Sequence, residues 1–141
     1  IKNLMLEKIN IKYLLLFSLF LMLIQIFIGT DVREFIDEQV KFFGRENKDL
    51  WLSSPKLNFY VHRTFSILVF SVNAVLFFVS KNLKIDMKYI NMTMGLIFIE
   101  ILIGASMFYF SFPIMTQPIH LIIAIIIFAI QLYWYLKLVS P

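Results

Sequence analysis

Apolar residues in this chain do not alternate with polar ones. They run almost unbroken over four stretches, residues 13–29, 59–79, 89–109 and 118–136, separated by polar or charged connectors. Each stretch holds about 17 to 21 residues, and at about 1.5 Å of rise per residue a helix of that length crosses a hydrocarbon core of about 30 Å. The pattern predicts four transmembrane helices. Short turns after the second and third helices make consecutive helices antiparallel neighbours, which gives an all-α integral membrane four-helix bundle spanning residues 1–141. Only the first connector is long. Within it Val32, Phe35, Ile36, Val40 and Phe43 recur at spacings of three and four, with Arg33, Asp37, Glu38 and Lys41 between them and Gly44 following as a cap. That pattern predicts an amphipathic helix on the outer membrane surface. "RENKDLWLSSPK" then returns the chain to the bilayer, with Trp51 and Tyr60 as interfacial anchors.

Composition agrees. The chain is 60% hydrophobic and 16% charged, against an apolar share of about 45–50% in soluble domains. With no cysteine, disulfides and thiolate ligands are excluded. Lys2, Lys8 and Lys12 precede the first run as in a secretory signal. The run is longer than a signal's apolar core, however, and "IGTDVREF" offers no small-residue cleavage pattern, so it reads as a spanning helix.

Lysines also set the orientation. Lys2, Lys8, Lys12, Lys81, Lys84, Lys88 and Lys137 fall on one side, whereas residues 31–58 nearly balance acid and base and "FSFPIMTQ" is uncharged. The lysine-rich side is expected to be cytoplasmic, with both termini on it, in a multi-pass protein of the inner (plasma) membrane. The net charge of +4 is then topogenic. The expected partner is the lipid bilayer, and nucleic acid, which needs a basic face in water, is not expected.

The two halves repeat. "IQIFIGT" at residues 24–30 aligns with "IEILIGA" at residues 99–105, setting Gln25 against Glu100 and Gly29 against Gly104. The next helix in each half opens with a histidine, and from His62 to Asn73, as from His120 to Gln131, is eleven residues. Eleven residues is about three turns, so each histidine shares a helix face with an amide about 16 Å deeper. Two hairpins of one design, related by an axis along the membrane normal, account for these matches.

Helices two and four run in the same direction and take diagonal corners of the bundle, about 14 Å apart. That span suits two imidazoles on one haem iron. A single histidine at a helix mouth reads as an interfacial hydrogen-bonding residue; the repeat, pairing His62 with His120 at one depth, favours metal ligation by both. Zinc or copper would want further cysteine or carboxylate ligands at that depth. Gly29 and Gly104 make room for a porphyrin edge, or for close helix packing. Arg63 and Arg33 are placed for haem propionates, or for solvent and lipid headgroups. Glu100 is an acid inside a helix, about 13 Å below its outer end and so deeper than the histidines. With neutral Gln25 as its counterpart, it is expected to act as a hydrogen-bonding group, with proton relay as the alternative. Asn73 and Gln131 are expected to bond between helices.

"QIFIGTDVREFID", "VHRTFS" and "QPIHL" together resemble the haem A synthase family of eight-helix membrane proteins, over both hairpins of a four-helix half. The resemblance implies oxidation of the C8 methyl of haem O to a formyl group, for terminal oxidase. It also implies a haem between paired histidines in each half. The substrate half carries a glutamate three residues before its first histidine; here that position is Phe59. By resemblance the chain is therefore the C-terminal half, with haem b held by His62 and His120 and no catalytic residue of its own. Its partners are then the haem O-binding half, or a second copy, and an electron donor. A b-type cytochrome passing electrons to quinone, and a membrane assembly factor without catalysis, are the alternatives from other classes.

Overall fold

The computed structural model describes the backbone of residues 2–140 and the side chains from Ile11 to Ser140. Lys2 and Lys8, on which part of the orientation rests, lie outside the described side chains. Four helices follow one another: α1 (Lys2–Phe43), α2 (Leu57–Asn82), α3 (Lys88–Tyr109) and α4 (Thr116–Val139), with one 3-10 turn at Lys48–Leu50. All four are long and apolar enough to cross a membrane. α1 packs on α2 and α4, and α3 packs on the same two; among the described residues the backbones do not approach across either diagonal, where only side chains meet. The cross-section is a square with α2 and α4 at opposite corners, as the short turns predict.

The outer amphipathic segment differs from expectation. Residues 32–43 are helical, but as an uninterrupted continuation of α1 rather than a separate helix lying in the membrane plane. Two features keep the helix going. The inward stripe Ile11, Leu15, Ser18, Met22, Gln25, Gly29, Val32, Ile36 and Val40 stays in phase with a 3.6-residue period through the polar junction. Thr30, at that junction, returns its hydroxyl to the carbonyl of Phe27 at 2.7 Å and leaves the backbone ladder intact. α1 thus projects about 20 Å beyond the apolar run. It stops at Gly44, whose φ of +85° and N–H bond to Val40 make the expected cap. Phe35 and Ile36 on this extension bury against Trp51 and Phe112, so the outer turns of both hairpins close over one another.

Below that lid the bundle is layered. Leu21, Met22, Val69, Ile97 and Ile127 form one apolar cluster, and Ile11, Leu15, Leu76, Ile90 and Trp134 another nearer the termini. Between them every helix contributes one fully buried polar residue: Ser18, Asn73, Thr93 and Gln131. Gln131 donates to Asn73 Oδ1 at 2.7 Å and to the Ser18 hydroxyl at 3.0 Å, and that hydroxyl donates to Asn73 at 3.2 Å. Asn73 and Gln131 therefore bond between helices, as expected. Lipid tails are as apolar as leucine, so burial gives little reason for helices to associate; such bonds, worth about 0.6 kcal/mol and at most about 1.7, fix which faces meet. This layer anchors α2 and α4 about 16 Å below their histidines.

Candidate functional site

One layer nearer the outer surface, each helix again supplies one polar residue, this time Gln25, His62, Glu100 and His120. Hairpin geometry sets each histidine against the glycine of its own repeat. A Cβ placed on Gly29 would sit 3.0 Å from Cε1 of His62, and one on Gly104 would sit 3.4 Å from Cε1 of His120. The immediate neighbour of each glycine is thus the histidine ring of its own repeat.

From their opposite corners the two rings converge. Their centres are 6.4 Å apart and their planes are inclined at 77°. Nδ1 of each ring is buried and has no hydrogen-bond partner. Such atoms are uncommon in proteins, where a buried polar group without a partner costs about 1–3 kcal/mol. The arrangement brings two nitrogen bases together, and among the described residues no group of three or more histidine, cysteine or acidic side chains could hold a metal ion.

Gln25 and Glu100, equivalent in the repeat, approach their histidines differently. Gln25 Nε2 donates to the backbone carbonyl of His62 at 3.2 Å. Glu100 reaches the ring itself, with Oε2 3.2 Å from Nδ1 of His120 though out of line for a hydrogen bond. Depth along α3 had put Glu100 below the histidines. It lies one turn inside Gly104, however, and an offset of about 6 Å is spanned by two long side chains.

The arginines stand apart from the ring pair. Arg63 is exposed, with its guanidinium 5.6 Å from the ring centre of Phe108. Phe59 stacks on that same ring at 5.7 Å, so Phe108 joins the outer ends of α2 and α3. Arg33 reaches Asp37 one turn along α1 at 4.0 Å, both half-exposed. Sequence reasoning missed Phe108 and the direct approach of Glu100 to His120. No periodic signal marks the first; the second was available in the repeat, which sets residue 100 one turn from the glycine under the ring.

Residues 3–132 match the family model described as cytochrome oxidase assembly protein, COX15-CtaA. No curated protein and no solved structure matches the chain.

Proposed function

This chain belongs to the COX15-CtaA family of cytochrome oxidase assembly proteins, the haem A synthase family, and on that premise we propose that it is a cofactor-holding four-helix half of such an enzyme. In this reading His62 and His120 would hold the iron of one b-type haem, and the reaction served is oxidation of the C8 methyl of haem O to a formyl group.

The observation that carries the proposal is the convergence of the two rings. Two imidazoles on one metal, with bonds of about 2 Å and about 1 Å more from each nitrogen to its ring centre, have centres about 6 Å apart. The observed 6.4 Å fits that spacing. Mutually inclined planes are compatible with it, because two imidazoles can share a metal without being parallel. A bound haem supplies one-electron transfer. Everything else falls to the chain. Gly29 and Gly104 let the rings lie against α1 and α3, which restricts their rotation, and Gln25 ties the backbone of His62 to α1. The buried cluster around Met22, Val69 and Ile127 keeps water from the inner side of the ring pair. Arg63 stands one residue from a ligand, and Arg33 holds only an exposed ion pair, worth about 0–1 kcal/mol and readily exchanged; both are available to carboxylates at the membrane surface.

The purified chain should therefore carry one low-spin haem, read as a pyridine haemochrome and by its ferric spectrum. A chain that stays colourless in a haem-replete host would overturn the proposal. The protein is placed, in this reading, in the inner (plasma) membrane with both termini cytoplasmic, working beside a haem O-binding half or a second copy and an electron donor. Cysteines introduced at Ser53 and Asn82 test the orientation. The first should react with an impermeant maleimide from outside and the second only after permeabilisation; the reverse would mean that the lysine asymmetry does not orient this chain.

A further inference from the structure

The two histidines have equivalent places in the repeat but different neighbours. Nδ1 of His120 has the Glu100 carboxylate at 3.2 Å, while the residue equivalent to Glu100, Gln25, points its amide at the backbone of His62 and leaves that ring's Nδ1 with no side-chain acceptor. Glu100 is only 16% exposed. A carboxylate so placed inside a membrane bundle is costly and persists where it has a task.

We infer that Glu100 is the positioning residue of His120: its carboxylate accepts the proton on Nδ1 and so leaves Nε2 as the free donor atom. The ring is held from two sides, its Cε1 edge on Gly104 and its Nδ1 towards Glu100 one turn deeper on the same helix. At 3.2 Å the two atoms are within hydrogen-bond distance, and the terminal torsion of a glutamate is a soft, broad one that can align them at little cost. Which ring nitrogen carries the proton is set by the partner of the other, and an imidazole that donates to a carboxylate is a more electron-rich ligand. His62, without that partner, is the ordinary ligand of the pair. One bundle thereby gains two inequivalent faces from two equivalent hairpins. The consequence for a bound haem rests on the ligation proposed above; the assignment of the proton does not.

Two measurements keep these separate. In the haem-free chain labelled with 15N-histidine and assigned with His62→Ala, the His120 ring should show a protonated Nδ1. Glu100→Gln, which retains an acceptor oxygen, should keep it, and Glu100→Leu should transfer the proton to Nε2 while the His62 signals stay in place. A His120 ring protonated on Nε2 in the parent, or unmoved by Glu100→Leu, overturns the inference whether or not haem is ever bound. In the haem-loaded chain, Glu100→Gln should retain the haem while its midpoint potential rises and its ferric EPR g-values shift, because the negative charge that favours ferric iron has gone. Haem retained with both readouts unchanged also overturns it, leaving the ligation intact; a parent chain that binds no haem overturns the ligation and leaves the ring assignment to the nitrogen signals.

Discussion

Alanine at His62 or at His120 should strip the purified chain of its low-spin haem spectrum. Each substitution removes one of two iron–nitrogen bonds and leaves no second imidazole or thiolate to replace it, since the chain has two histidines and no cysteine. Loss of a positioning partner alone lowers metal affinity about 10–100-fold. Loss of the ligand itself should exceed that, leaving a minority of chains with five-coordinate, high-spin haem. The fold should survive, because the polar layer that registers α2 against α4 lies about 16 Å away and touches neither ring. Helical circular dichroism of the variants should match the parent, and added imidazole should restore a low-spin spectrum by filling the vacated space. Both variants keeping an unchanged low-spin spectrum would make the histidines structural residues and end the haem proposal.

The four spans were legible because the bilayer demands one thing of a spanning helix, length in apolar residues, and this chain meets it four times. The square arrangement followed from two short turns. The layer of Asn73 and Gln131 was legible too, since an amide eleven residues below each histidine has no partner in lipid and must find one across the bundle. What escaped was whatever depends on phase or on side-chain reach. Asp31 and Arg33 after Thr30 suggested a break, because the eye follows the change from apolar to charged. The inward stripe running from Ile11 through Gly29 to Val40 keeps its period there, and a helix ends only where that period or the backbone ladder fails. Gly29 and Gly104 were legible as places needing space, but a bare sequence does not say what fills it. Here it is the ring opposite, at 3.0 and 3.4 Å from an added Cβ. Glu100 escaped for a similar reason: counting residues gives the depth of its Cα, and its carboxylate acts elsewhere.

The division of labour between halves leads to an all-or-none expectation. Expressed alone in a host that makes haem O, this chain should yield no haem A; expressed with a companion half bearing Glu-x-x-His, it should. The position at issue is Phe59, three residues before His62, where the resemblance would set a glutamate in the substrate-binding half. Phe59 stacks on Phe108, and its ring can neither exchange a proton nor stabilise positive charge developing at a carbon under oxidation. Glu100 is no substitute, because its carboxylate is turned to Nδ1 of His120. On this reading a substrate finds no acid or base at the Phe59 position, although a haem held by the two histidines could still pass electrons to a neighbour. Phe59→Glu adds a sharper arm. If the missing carboxylate is the main obstacle, the variant should give a trace of haem A where the parent gives none; if the obstacle is a haem already fixed between His62 and His120, it should give none. Haem A extracted from cells carrying the unaltered chain alone would show that one bundle, or a pair of identical bundles, carries out the whole oxidation, and that Phe59 does not mark a cofactor half.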